Sequence, residues 1–197
     1  MRTYRVVNLN VLWFLIALNV VIFVIQLITG GGIAAYSPLI YFLGLTPALL
    51  SQQPWTIISN MFVHGGFLHI IFNMIALYFL GSFFIRAAGE KSFLAVFFLG
   101  GLVGNVLYFL LGPPLTPGVG ASGGIFALAG ALAVMIPRVP VFIFFIPIPM
   151  PLWIAVIILV FISFLFSEIA WQAHVGGLLL GLAAGLISRR RSRIYYF

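Results

Sequence analysis

Residues 111–124 read Leu111-Gly112-Pro113-Pro114-Leu115-Thr116-Pro117-Gly118-Val119-Gly120-Ala121-Ser122-Gly123-Gly124. Eight of these fourteen residues are Gly or Pro, so the chain cannot enter a helix before about Ala121. No charged residue then follows until Arg138. The pattern places Ser122 in the first turn of an apolar helix, where unpaired N–H groups and the positive end of the helix dipole converge. A serine there is either an ordinary N-cap or a nucleophile beside an oxyanion site.

The composition is that of a membrane protein. Of the 197 residues, 64% are hydrophobic and only 6% are charged. The chain has no Cys, which excludes disulfides, thiol chemistry and cysteine-ligated metal. The net charge of +7 comes from nine Lys and Arg against two acids, Glu90 and Glu168. Because the basic residues flank apolar runs, they indicate orientation in a bilayer and no nucleic-acid partner.

Six apolar runs predict an all-α membrane protein with six transmembrane helices in a single domain over residues 1–197. The runs cover residues 11–27, 66–85, 92–111, 121–137, 151–167 and 173–188. The first run resembles a signal peptide, but its length and the membrane-embedded remainder favour a retained span. The uncharged connection 29–60 is too apolar for a solvated loop and is predicted to lie in the membrane interface. Segment 140–150 is punctuated by Pro, which favours a turn or an extended piece.

Lys and Arg predict the orientation of these spans. They occur only at positions 2, 5, 86, 91, 138, 189, 190, 191 and 193. All nine positions fall on one side of the membrane, and the positive-inside rule makes that side cytoplasmic, together with both termini. The expected location is the cell membrane, crossed several times.

Polar residues of three spans fall at a similar depth. Each even-numbered span ends near a cytoplasmic Arg, and His69, Ser122 and His174 precede that Arg by 17, 16 and 15 residues. At about 1.5 Å per residue they lie several ångströms below the outer surface of a ~30 Å hydrocarbon core. Asn73 is one turn deeper than His69 on the same helix face. The fourth helix therefore starts within the membrane, and the loop before it is expected to line a wet pocket open to the extracytoplasmic side.

Small residues favour a close approach between the fourth and sixth spans. The sixth span carries Gly177, Gly181 and Gly185, and the fourth begins with Gly123 and Gly124. If these stripes meet, His174 lies beside Ser122, and the two form a nucleophile with its general base. His69 and Asn73 are then available, with the Ser122 N–H, to stabilise an oxyanion.

Other chemistries lack the residues that they require. Aspartyl proteolysis within the membrane needs two Asp, and the chain has none. Ion-coupled transport usually needs intramembrane acids, whereas Glu90 and Glu168 are predicted in loops. The serine and histidine would thus act as a dyad, with the imidazole oriented by packing. No His-Glu-x-x-His zinc motif occurs, although His64, His69 and His174 remain conceivable as a metal trio.

Three motifs resemble the signatures of the rhomboid family of intramembrane serine proteases. They are Gly120-Ala121-Ser122-Gly123, His69-x3-Asn73 and Ala173-His174-Val175-Gly176-Gly177. Their order and the six-span core match across essentially the whole chain. The resemblance implies a nucleophilic Ser122 and a general base at His174, with no cofactor. It also implies oxyanion donors at His69 and Asn73.

The resemblance further implies structural roles around this site. The residues expected to support it are His64, Gly120, Gly123, Phe126, Gly177 and Gly181. Residues 29–60 would be the interfacial loop of the family, and residues 167–172 a mobile cap. Two positions depart from the family pattern: Thr56 stands where many members have Arg, and Phe126 where many have Tyr. A Phe ring can still stack on an imidazole.

The expected activity is endopeptidase cleavage of single-span transmembrane proteins near the outer membrane boundary, in contact with membrane lipid. Two alternatives remain open. One is a non-catalytic rhomboid-like protein that binds client helices, and the other is a small-solute channel through the same cavity.

Overall fold

The computed structural model describes residues 8–143, 146–166 and 169–191. Within these residues the α-helices are α1 Asn10–Thr29, α2 Pro38–Leu43, α3 Thr56–Ser59, α4 Phe67–Ala88, α5 Glu90–Leu111, α6 Ser122–Met135, α7 Leu152–Leu165 and α8 Trp171–Arg191. Single 3-10 turns cover Ala34–Tyr36, Pro47–Leu49 and Asn60–Phe62, and strands β1 Pro140–Ile143 and β2 Ile146–Pro151 pair antiparallel. The predicted cytoplasmic termini, Glu168 and part of the predicted cap lie outside the described residues.

Four of the described helices have the length and composition of membrane spans. They are α1, α4, α5 and residues Trp171–Ser188 of α8. With 18 to 22 residues each, they reach roughly 27–33 Å, which matches the hydrocarbon core of a bilayer. Helices α6 and α7 are apolar but have only 14 residues each. The prediction of a helical membrane protein is therefore confirmed, with four candidate spans among the described residues, and the number of six spans stays a prediction.

Two local expectations are wrong. The loop position expected for Glu90 is incorrect, because Glu90 is the first residue of α5. A carboxylate is favoured there by the positive end of the helix dipole. The all-α class also omits the hairpin formed by β1 and β2. The prolines of this segment prevent a helix, as its spacing predicts, and the extended chain that results pairs with itself.

Helix α6 is the centre of the helix packing. Ten of its fourteen residues are buried, and it contacts α4, α5, α7 and α8. A Cβ atom at Gly177 would overlap the carbonyl oxygen of Gly123, and one at Gly181 would overlap that of Ala127. From the first contact to the second, the contacting residue moves four positions forward in α8 and four positions forward in α6. The two helices therefore run parallel. The glycine stripe of α8 therefore faces α6 and brings the first turns of the two helices together.

Replacing Gly181 by Ala is expected to lower the free energy of unfolding by about 1–3 kcal/mol, because the added methyl group has no space against the α6 backbone. Thermal unfolding in detergent micelles measures the effect. Gly66→Ala is the matched control, since a Cβ at Gly66 meets no atom within 4 Å. Equal melting temperatures for the two variants would contradict this packing.

The segment between α1 and α4 supports the Gly- and Pro-rich loop that precedes α6. Leu45 and Gly118 exchange two backbone hydrogen bonds of 2.9 and 2.8 Å. Thr56 is fully buried, and its hydroxyl donates to the carbonyl oxygen of Gln53 at 2.6 Å. The segment thus covers part of the irregular backbone of the loop that leads to Ser122.

Candidate active site

Ser122 is the first residue of α6, and its side chain is directed toward α8. Its Oγ lies 2.8 Å from His174 Nε2. The residue at the N-cap is Ala121, and no side chain caps the helix. The interpretation of Ser122 as an N-cap is therefore wrong, because its hydroxyl is engaged with an imidazole. As the first helical residue, Ser122 also has an N–H without an acceptor within the helix.

His174 lies in the first turn of α8 and is held by two further contacts. Its ring is stacked on that of Phe126, with the centroids 4.2 Å apart and 16° between the planes. Phe126 follows Ser122 by one helical turn, so the same face of α6 provides both contacts. The other ring nitrogen, Nδ1, lies 2.7 Å from Ser163 Oγ on α7. Three helices thus fix the orientation of one imidazole.

Ser163 is the member of this site that sequence reasoning missed. It is 2% exposed and is the one hydroxyl-bearing residue of α7. A polar side chain in an otherwise apolar helix is itself a signal, because polar groups at membrane depth are costly without partners. The expectation that packing orients His174 is therefore incomplete, because the hydrogen bond to Ser163 also holds the ring.

His69 borders the same space as the Ser122 hydroxyl. A Cβ at Gly120 would lie 2.7 Å from His69 Nε2 and 3.8 Å from Ser122 Oγ. Gly120 also has a φ of 115°, a conformation that side chains rarely adopt. The Gly65 N–H donates to His69 Nδ1 at 3.4 Å. This bond assigns the ring proton of His69 to Nε2, the nitrogen that faces Gly120.

Asn73 and His64 both contact His69. The Asn73 amide nitrogen donates to the carbonyl oxygen of His69, one turn earlier in α4, at 2.8 Å. The His64 ring is fully buried and packs edge-on against that of His69 at 5.1 Å between centroids. Burial, followed by the nearby His69 side chain, lowers the pKa of His64 to about 3. The His64 ring is therefore neutral near pH 7.

The backbone of His64 is fixed from α1. The side-chain amide of Gln26 donates to the His64 carbonyl oxygen at 2.9 Å and accepts from the His64 N–H at 3.0 Å. In the described part of the chain, no three His, Cys, Asp or Glu side chains form a group that can hold a metal ion. The interpretation of the histidines as a metal trio therefore has no geometric support.

A pair of asparagines anchors the backbone next to the site. The side chains of Asn60 and Asn105 exchange two hydrogen bonds of 2.9 and 2.7 Å, and both residues are buried. The Asn60 carbonyl oxygen accepts from the Gly120 N–H at 2.9 Å. Helix α5, which carries Asn105, is thus connected to the loop that positions Ser122.

A cavity of about 10 Å³ lies beside Ser122. Polar groups in its wall belong to Asn60, Asn105, Tyr108 and Ser122. This volume holds about one water molecule. A cavity lined by Ser122 agrees with the pocket expected from the sequence, whereas its opening to the extracytoplasmic side stays a prediction. A larger cavity of about 300 Å³ lies against Ser37 and Tyr41, and Ser122 is not part of its lining.

Comparison with known proteins shows the family of this chain. The Rhomboid domain model matches residues 51–191. The chain is 30% identical to rhomboid protease GluP of Bacillus subtilis over 176 residues, which cover 87% of this chain and 33% of that protein. It is 31% identical to RHOMBOID-like protein 5 of Arabidopsis thaliana over 148 residues, or 73% of this chain and 47% of that protein. It is also 26% identical to Rhomboid-like protease 3 of Toxoplasma gondii over 129 residues, or 64% of this chain and 48% of that protein.

The matched regions span between a third and a half of the length of these relatives. The family model, in contrast, covers well over half of this chain and includes all of the residues that surround Ser122. Together with the apolar helices, the match shows that this protein belongs to the rhomboid family.

Proposed function

We propose that this protein is an intramembrane serine endopeptidase that cuts single-span transmembrane substrates near the outer membrane boundary. The observation that carries the proposal is the hydrogen bond of 2.8 Å between Ser122 Oγ and His174 Nε2. A hydroxyl paired with an imidazole is a nucleophile with its base. The relatives named as rhomboid proteases support protease activity. A rhomboid-like protein that only binds client helices has no need of such a pair.

The reaction proceeds through an ester on Ser122. His174 Nε2 takes the hydroxyl proton as Ser122 Oγ attacks the carbonyl carbon of the substrate. The C–N bond then breaks, and His174 passes the proton to the leaving amine. In the second half a water molecule attacks the ester carbon and gives a proton to His174. The bond between that carbon and Ser122 Oγ then breaks, the fragment leaves with a new carboxyl group, and His174 returns the proton to Ser122 Oγ. No cofactor is required for either half.

Two donors face the position of the developing oxyanion. One is the Ser122 N–H, which has no acceptor within α6. The other is His69 Nε2–H, whose proton is assigned by the bond from Gly65 to Nδ1. Fixed donors of this kind stabilise the transition state more than the substrate, because charge develops only as the carbonyl is attacked. Asn73 has a second amide hydrogen and acts as an auxiliary donor.

We propose that the chain forms one membrane domain in which α6 and α7 complete six spans. Both termini are then cytoplasmic in the cell membrane, and Ser122 is reached from the extracytoplasmic side. The nine basic residues, all on one side of the predicted spans, support this orientation. A substrate helix would have to unwind locally, because a peptide bond within an α-helix is covered by neighbouring turns.

Reconstitution with a model substrate tests the activity. The purified protein is placed in liposomes with a single-span substrate, and the products are identified by mass spectrometry. Two fragments with a cut near the outer boundary are expected. Binding of the substrate helix without cleavage would instead identify a client-binding protein. Solute flux that is insensitive to Ser122→Ala, without cleavage, would identify a channel.

A further inference from the structure

The hydroxyl of Ser163 has two hydrogen-bond partners. Its Oγ lies 2.7 Å from His174 Nδ1 and 2.9 Å from the carbonyl oxygen of Leu159, one turn earlier in α7. A carbonyl oxygen only accepts, so the single hydroxyl proton of Ser163 is donated to Leu159. Ser163 Oγ is then left to accept a hydrogen bond from His174 Nδ1–H.

This arrangement selects one tautomer of His174. With a proton on Nδ1, a neutral imidazole has none on Nε2, so Nε2 accepts from the Ser122 hydroxyl. In the opposite arrangement Ser163 would donate to Nδ1, and His174 Nε2–H would donate to Ser122. An imidazole in that state cannot take the proton of Ser122, because Nε2 already carries one.

We propose that Ser163 is the positioning residue of this active site, which holds His174 in the tautomer that can accept the Ser122 proton. The inference rests on the proposed function for its effect on rate, although the tautomer itself is a property of the folded protein. Ser163 also accepts from Nδ1–H when His174 carries both protons during the reaction. A carboxylate would do the same at a much larger cost of burial, whereas a hydroxyl is neutral.

Four variants separate the hydroxyl from its volume. Ser163→Thr keeps the hydroxyl. Ser163→Val places a side chain of nearly the same shape as Thr at this position, without the hydroxyl. Ser163→Ala removes the hydroxyl and leaves a smaller side chain. Ser82→Ala is the matched control, since Ser82 Oγ is a buried hydroxyl of α4 with no hydrogen-bond partner among the described residues. Melting temperature, kcat and KM are measured for each in detergent or liposomes.

The expected result is a loss of about 10- to 100-fold in kcat for the Val and Ala variants, with KM within about twofold of the unmodified protein. The Thr variant is expected to retain most of kcat, and Ser82→Ala all of it. Equal kcat values for the Thr and Val variants would show that Ser163 acts through packing only, and would overturn the proposal.

Nitrogen NMR of ¹⁵N-histidine-labelled protein reads the tautomer without any cleavage. The proposal expects His174 as Nδ1–H in the unmodified protein and a loss of this preference in Ser163→Val. A protein that does not cleave substrate but shows this pattern would contradict the protease and leave the role of Ser163 supported. Nε2–H as the main tautomer of unmodified His174 would overturn the role of Ser163, whatever the activity.

Discussion

Replacing either Ser122 or His174 by Ala is expected to lower the cleavage of a single-span substrate by about 10⁴-fold or more. The first change removes the attacking oxygen. The second removes the imidazole whose Nε2 lies 2.8 Å from Ser122 Oγ in the unmodified protein, so no group remains to take the hydroxyl proton. Because the two side chains act as a unit, the double variant is expected to be no slower than either single variant. Initial rates in liposomes, with fragments quantified by gel or mass spectrometry, measure the loss.

Ser82→Ala serves as the control here too, because it removes a hydroxyl from a membrane helix away from the site. The melting temperatures of all variants should be compared, so that a loss of folding is not taken for a loss of chemistry. If the His174→Ala variant kept more than a tenth of the cleavage rate of the unmodified protein, His174 would not be the base.

His69→Ala is expected to lower kcat by about 10²- to 10³-fold and to change KM little, as removal of one oxyanion donor does. Its Nε2 lies against Gly120, next to Ser122, and carries the ring proton. Asn73→Ala should cost less, because the Asn73 amide is already bonded to the His69 backbone. Steady-state kinetics with separate kcat and KM values distinguish these effects from weaker substrate binding.

The order of the two losses is the informative quantity. A larger loss of kcat for Asn73→Ala than for His69→Ala would reverse the assignment of the main donor. A rise in KM with an unchanged kcat for His69→Ala would place His69 in substrate binding instead.

Sequence reasoning brings together the residues whose depth can be counted along a single continuous helix. The number of residues between each side chain and the Arg at the end of its helix predicts a similar depth for Ser122 and His174, and the stripe that includes Gly177 predicts a close helix contact. The structure has the two side chains in hydrogen-bond contact and α8 packed on α6 through that stripe. Periodicity and rise per residue are sufficient for these features, because both lie within continuous helices.

The positions of Ser163 and of the asparagine pair cannot be obtained by counting residues along one helix. Between Arg138 and Ser163 the chain forms the hairpin of β1 and β2, so counting residues does not give a depth. Asn60 and Asn105 are 45 positions apart, and only the tertiary fold joins them. The sequence also leaves two interpretations of Ser122 open, because a serine at the start of a helix can either cap that helix or bond to a side chain distant in sequence. Long-range pairing therefore decides these features.

The proposed activity depends on Ser122 as a nucleophile that His174 activates. Its most direct test is to react the folded protein with a fluorophosphonate, which forms a covalent ester with an activated serine, and to map the adduct by peptide mass spectrometry. We expect one adduct, on Ser122, that is lost in His174→Ala and suppressed by a transmembrane substrate. An adduct on another residue, or an unmodified Ser122 in protein that cleaves substrate, would contradict it.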